Sequence, residues 1–329
     1  MRERSVVEQA YISDEHFKRL LDGSLRFFVC YDGSDYSHAG LQMCLSLFMP
    51  QERSSTLKIM HIYDNTKDYL VGTKFNPERL EQTVNDICLT SVSKSRYAVL
   101  FQPKHTNDKD VQVGPSLIDQ ANADHSDFVI MGLVGRKGIK KSSFAGTPMG
   151  KQLDFAMSHT NGSIVVIQDV QTATTLKSNT KTVFAVSVCL NTASTKGFVD
   201  ALRLSKPGDE IHVVYVKSFL ERTESDYTIA LRTKFAKLFA AIHEEMKDVA
   251  HATYGDRVCT FHLLEKKKGY TTPQAIVEFA DDVGAHFIVV GTNVLRSREK
   301  GKEHLGSISM QILMDSHKNF VIAHYHPSE

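Results

Sequence analysis

Two hydrophobic periods alternate along this chain. The run "LRFFVCYD" (25–32) is apolar up to its terminal carboxylate and reads as a buried strand, whereas Leu41, Cys44, Leu45 and Phe48 then recur at helical spacing. "LKIMHIYD" (57–64) predicts a second strand. In "NPERLEQTVNDICL", Asn76 is placed to cap a helix, Pro77 suits its first position, and Leu80, Val84 and Ile87 fall on one face. "RYAVLFQ" predicts a third strand, "PSLIDQANA" a short helix, and "DFVIMG" a fourth strand. After a basic loop, "TPMGKQLDFAM" predicts a helix with Met149, Leu153 and Ala156 on one side, and "SIVVIQ" a fifth strand. Strands alternating with helices predict an α/β domain with a mostly parallel sheet covered on both faces.

The polar segment "DVQTATTLKSNTK" (169–181) interrupts this order, which then returns: "TVFAVSV", a helix near "KGFVDAL", "EIHVVYV", a long helix around "LRTKFAKLFAAIHEEM", "VCTFHLL", "PQAIVEFA", "HFIVVG", "GSISMQIL" and "NFVIAHY". Matching "SDFVIMG" with "AHFIVVG" places Gly291 159 positions after Gly132, and matching Gly146-Thr147 with Gly306-Ser307 gives 160. Near-constant offsets indicate a duplication. The expected organisation is an extension over 1–24, a first domain over 25–170, a linker over 171–181 and a second domain over 182–329. Ser13 is a candidate cap for a short amphipathic helix, "DEHFKRLL", inside the extension.

Composition agrees with two cores: 329 residues, 42% hydrophobic and 23% charged. A net charge of +1, from 39 basic and 38 acidic residues, supplies no global field toward nucleic acid or an anionic membrane. The five cysteines, Cys30, Cys44, Cys88, Cys189 and Cys259, form no CxxC pair and mostly lie in apolar runs, as expected of reduced thiols in the cytoplasm. Neither a signal-peptide core nor a membrane-spanning run is expected.

The chemistry concentrates in two stretches. "YDGSDYS" (31–37) puts a carboxylate, Asp32, at the end of the first strand, where open α/β sheets bind ligands. Asp32, Ser34 or Asp35 would equally serve as caps of the next helix. "MGLVGRKGIKKSSFAGTPMGKQL" leaves the fourth strand at Gly132, passes Gly135 and is expected to enter a helix at Gly146-Thr147. Arg136, Lys137, Lys140 and Lys141 add positive charge, so a phosphate site and a solvated surface loop both fit. Other site types fit less well. The spacing of "DGSDYS" matches neither a D-x-S-x-S metal site nor a D-x-D phosphatase, Gly33 alone does not make an S-G-G turn, and no G-x-S-x-G elbow is present. His324 and His326 lack accompanying metal ligands at suitable spacing.

Together, Asp32, "HIYD", "ADHSDFVIMG" and the Gly132-x-x-Gly135 spacing followed by Gly146-Thr147 resemble the universal stress protein family, in tandem form over nearly the whole chain. The resemblance implies two doubly wound, mostly parallel five-stranded sheets of the Rossmann-like, adenine-nucleotide alpha-hydrolase-like type. It also implies an internal pseudo-dimer, with "SIVVIQ" and "NFVIAHY" as the candidate contact. It implies ATP or another adenine nucleotide, with or without magnesium, in the first domain only. Asp32 and the backbone around Ile62 would hold the adenosine, and Met131 would border the base. Gly132 and Gly135 would cradle ribose and phosphates, and Gly146 with Thr147 would cap the phosphate end.

Departures from the family pattern are visible. Ten residues separate Gly135 from Gly146 where nine are usual, Pro148 has no N–H to offer a phosphate, and the second copy carries Cys189 for Asp32 and Val294 for the second glycine. The expected function is a nucleotide-binding, ligand-sensitive switch or stress-response factor with little or no turnover. The competing expectation is an interaction protein that keeps the fold without nucleotide and docks in a larger assembly, for example a cytoskeletal one.

Overall fold

The computed structural model describes residues 24–49, 54–64, 73–104, 113–136, 149–217, 225–249, 257–292 and 306–325. The expected helix around Ser13, the basic residues Lys137, Lys140 and Lys141, the cap Gly146-Thr147 with Pro148, and Val294 and His326 lie outside them. Two compact units divide between Ser178 and Asn179.

In the first unit, β1 (Arg26–Cys30), β2 (Thr56–Tyr63), β3 (Tyr97–Pro103), β4 (Phe128–Gly132) and β5 (Ser163–Ile167) pair in the order β3-β2-β1-β4-β5. Each of these pairings is parallel, which brings the carboxyl ends of all five strands to one edge. β1 and β4 are buried almost throughout because their apolar runs face helices on both sides. Connecting helices are α1 (Asp35–Met43, continued by a π turn at Cys44–Phe48), α2 (Pro77–Ser91), α3 (Val113–Ala123) and α4 (Lys151–His159). Asn76 caps α2 by accepting from the Arg79 N–H, as its position in the sequence predicts. The buried face of α2 is Leu80, Val84 and Cys88; the expected Ile87 is only half-buried, since Cys88 continues the Leu80–Val84 row at spacing four.

The second unit repeats the plan with β6 (Val183–Ser187), β7 (Glu210–Lys217), β8 (Val258–Glu265), β9 (Phe287–Thr292) and β10 (Asn319–His324), in the order β8-β7-β6-β9-β10 and again parallel. Its helices are α6 (Thr192–Leu204), α7 (Asp226–Val249), α8 (Thr272–Asp282) and α9 (Ser307–Asp315). The duplication reaches individual side chains. Phe27 of β1 is in register with Phe128 of β4 and stacks on it at 5.7 Å, and Phe184 of β6 stands likewise against Phe287 of β9 at 5.1 Å.

Two expectations change. The segment assigned to a linker begins as a six-residue helix, α5 (Val170–Thr175), capped by Asp169, which packs on α1 and buries Ala173. The cap is the reason: Asp169 accepts from the Thr172 N–H at 2.9 Å and so organises a turn in a stretch whose composition alone looks like loop. The helix expected from Gly146-Thr147 instead starts at Lys151, with Gly150 as its N-cap and Met149 ahead of it. Gly150 is therefore the counterpart of Gly306, which caps α9, and the offset here is 156 rather than 160. The loop between the fourth strand and this helix is longer in the first unit.

Candidate functional site

At the carboxyl edge of the first sheet, the turn after β1 is fixed by its own polar residues. Ser34 caps α1 by accepting from the Ser37 N–H, and Ser37 Oγ accepts from the Asp32 N–H at 3.3 Å. Gly33, at φ +77°, lies in the left-handed region, and a Cβ there would stand 2.9 Å from Leu80 Cδ2, so any other residue strains the turn.

Asp32 is the hub of this edge. Its Oδ1 accepts from the Ser34 N–H at 3.0 Å and its Oδ2 from the Arg136 N–H at 2.7 Å. The second bond spans more than a hundred residues of sequence and draws the loop after β4 onto the end of β1. Gly135 passes beneath it: a Cβ at that position would sit 2.9 Å from Asp32 Oδ2. The Leu133 N–H bonds the Ile167 carbonyl, and the Gly150 N–H bonds the Leu133 carbonyl, both at 2.9 Å. Asp32, Gly135 and the N-terminus of α4 thus belong to one patch. β1 and β2 are in register at Cys30 and Met60, so Asp32 and Ile62 each follow two residues beyond that pair. Met131 is buried in β4 beside Val166 of β5.

Gly132 has a packing reason of its own. A Cβ there would lie 2.6 Å from Tyr36 Cβ, in the first turn of α1. Its counterpart Gly291 would press a Cβ into the Ala193 carbonyl of α6. Both helices pass too close to these glycines to admit a side chain, and no ligand is needed to explain them.

Two residues of this edge carried no distinctive signal in the sequence. His61, inside the quoted "HIYD", is buried beneath the aromatic rings of Phe101 and Tyr63, at centroid distances of 5.0 and 6.1 Å. Burial holds its pKa below the usual histidine value; the Tyr31 carbonyl and Asp32 act the other way, and Arg136 adds to the depression. Phe75, just before α2, lies under both the Arg136 guanidinium and the Lys74 ammonium, each 5.1 Å from the ring centroid. Burial and the Asp32 charge push the Tyr31 hydroxyl up to about 12, so it stays protonated at neutral pH.

The second unit repeats the scaffold without the carboxylate. Asn191 caps α6 as Ser34 caps α1, and Ser194 Oγ accepts from the Cys189 N–H at 3.0 Å as Ser37 does from Asp32. Cys189 therefore stands where Asp32 stands, and burial raises its thiol pKa. Tyr227 from α7 accepts from the Leu190 N–H at 2.7 Å, and burial brings the nearby Lys234 down to about 8. All five cysteines are free thiols. Among the described residues, no cluster of three or more His, Cys, Asp or Glu is placed to hold a metal, and no helix is long and apolar enough to cross a membrane.

No protein-family model matches the sequence, and no curated protein shows significant similarity to it. Solved structures do match in fold. A universal stress protein from Archaeoglobus fulgidus DSM 4304 superposes with a TM-score of 0.58 at 12% identity, covering 94% of this chain and 100% of that one. A protein of unknown function from Pseudomonas aeruginosa PAO1 gives 0.52 at 10% identity, over 93% of this chain and 94% of its own.

Proposed function

From the tandem universal stress protein fold that this chain shares, we propose that it is a cytoplasmic adenine-nucleotide-binding protein whose first unit holds the ligand and whose second does not. The observation that carries the reading is the Asp32 carboxylate, set at the carboxyl end of β1 and bonded to the loop that follows β4. A carboxylate oxygen has two lone pairs, so each oxygen of Asp32 can still accept from an exocyclic amine or a ribose hydroxyl. Ile62, Met131, Gly132 and Gly135 complete the proposed floor. The N–H groups opening α4 at Lys151 serve the phosphates, with or without magnesium. Gly146 and Thr147 do not open that helix, and whatever contact they make lies outside the described residues.

Turnover is slow or absent in this reading, because Asp32 is engaged as an acceptor of main-chain bonds rather than poised over a water. The bound nucleotide then acts by holding the loop after β4 in one arrangement, which makes it a switch. The second unit, with Cys189 for the carboxylate and Tyr227 bonded to the turn, stays empty.

A second reading has its own support. Asp32 is satisfied by Ser34 and Arg136, and Gly132 is explained by Tyr36, so both residues have structural duties in a protein that works through protein partners alone. Purifying the chain, denaturing it and identifying released nucleotide by chromatography separates the two. About one adenine nucleotide per chain, lost in Asp32→Ala, supports the switch; an empty protein that also fails to take up ATP supports the interaction protein.

A further inference from the structure

The corner between α4 and β5 holds a reactive pair that the nucleotide reading does not use. It runs Thr160-Asn161-Gly162-Ser163, and Asn161-Gly162 is the one asparagine-glycine step in the chain. Glycine is there because the corner is tight. A Cβ at Gly162 would lie 2.2 Å from the Ser126 carbonyl oxygen and 2.9 Å from that of Asp127, so no side chain fits. Asn161, by contrast, is exposed. Its main-chain N–H donates to Asn122 Oδ1 at 2.8 Å, whereas its side-chain amide and the Gly162 N–H make no hydrogen bond among the described residues.

These two free groups are an electrophile and a nucleophile one ring closure apart. The Gly162 nitrogen, having lost its proton to solvent base, can attack Asn161 Cγ; the new N–Cγ bond closes a five-membered succinimide, and the Cγ–Nδ2 bond breaks with release of ammonia. Water then opens the ring at either carbonyl. Opening at Cγ restores the chain with an aspartate, and opening at the main-chain carbonyl carbon leaves an isoaspartyl link through Cβ and Cγ. We propose that Asn161 is a site of spontaneous deamidation, restrained by Asn122. The restraint is a bridge from α3: Asn122 Nδ2 donates to the His159 carbonyl at 2.9 Å while its Oδ1 holds the Asn161 N–H, so one side chain fixes the main chain that must rotate for ring closure. The isoaspartyl product adds one main-chain carbon just ahead of Gly162, where a Cβ already has no room. The Ser163 N–H bond to the Asp127 carbonyl, 2.9 Å long at the start of the β4–β5 pairing, is the contact it disturbs.

The test incubates the full-length chain in mildly alkaline buffer and follows each asparagine by peptide mapping, with aspartyl and isoaspartyl forms separated by chromatography. In wild type Asn161 loses its amide ahead of Asn191 and Asn319, and both product forms accumulate. Asn122→Ala frees the Asn161 N–H and quickens its conversion about five-fold, the factor for one hydrogen bond, while the other asparagines keep their pace. Asn161→Gln, whose longer side chain closes the ring poorly, leaves this peptide unmodified. Hydrogen exchange at the Ser163 amide is faster in the isoaspartyl fraction than in unmodified protein. Asn161 that converts no faster than Asn191 and Asn319 overturns the site. Equal rates in wild type and Asn122→Ala, or acceleration of every asparagine together as unfolding would produce, overturns the restraint.

Discussion

Asp32 Oδ2 accepts from the Arg136 N–H at 2.7 Å, a bond between the first strand's end and the loop after the fourth. The carboxylate therefore has a structural duty whatever else it does. Asp32→Ala leaves the N–H groups of Ser34 and Arg136 without their acceptor, and the loss of main-chain bonds to a charged group at a half-buried site is worth roughly 2 kcal/mol. Urea denaturation of nucleotide-free protein should show the first unit weakened by about that much. An unchanged transition would mean that solvent replaces these bonds at no cost.

The paired glycines make a second prediction. Gly132→Ala places a methyl group 2.6 Å from Tyr36 Cβ, and Gly291→Ala places one inside the contact distance of the Ala193 main chain. Tyr36 is in the first turn of α1 and can shift with it, whereas α6 is buried along nearly its whole length. Both substitutions destabilise by about 1–3 kcal/mol as overpacking does, with Gly291→Ala the worse. Comparison of the two unfolding midpoints checks the order. A loss of nucleotide binding in a Gly132 variant would then be interpretable only beside its stability.

Much of this architecture was legible because apolar periodicity and caps act locally. Asn76 and Pro77 announced α2 and the strand runs announced all ten strands, with ends within a residue or two of those found. The duplication was legible as well, down to Cys189 standing in for Asp32. The string Gly146-Thr147-Pro148 satisfies every local rule for a helix start, yet α4 opens at Lys151 behind Gly150. Gly150 wins because its N–H reaches the Leu133 carbonyl, a contact made only after β4 and the loop are in place. The partners of Asp32 and of His61 Nδ1 were illegible for the same reason: each depends on Arg136 or Tyr31 being folded back from another element.

At the opposite edge of the sheets the two units solve one problem with different chemistry. Asp127 Oδ2 accepts from the Arg26 N–H at 2.8 Å, and His286, its counterpart, accepts from the Val183 N–H through Nδ1 at 3.0 Å. His286→Ala removes that acceptor and should weaken the second unit by about 1 kcal/mol. His286→Asp restores the first unit's arrangement and should recover most of the loss. Hydrogen exchange at the Val183 amide reads the bond directly, and equal protection in all three proteins would refute its importance.

The second unit should also be sensitive to acid through a pair of imidazoles. His212 Nδ1 on β7 and His262 Nε2 on β8 are 2.9 Å apart, so one ring must donate and the other accept. Phe279 of α8 lies over both, at 4.8 Å from His262 and 6.3 Å from His212, and Glu210 Oε2 is 3.5 Å from His212 Nε2. Lys181 pairs with Glu210 and holds that carboxyl below its usual range, so it remains charged beside His212. His262 is held below 6.5, first by burial and then by His212. The sign follows from linkage. Above the ordinary histidine value both folded and unfolded His262 are neutral; as pH falls through it the unfolded chain takes a proton that the folded site resists, so stability declines. His61, also depressed, adds the same slope to the first unit, and a global melting curve would mix the two. Hydrogen exchange of the β7 and β8 amides between about pH 7 and 5 isolates this pair. Protection there should fall with pH in the wild type and hold steady in His262→Phe, whose ring keeps the contact with Phe279 without a titrating nitrogen. An identical decline in both would show that the imidazole pair tolerates a second proton and that the acid sensitivity, if any, arises elsewhere.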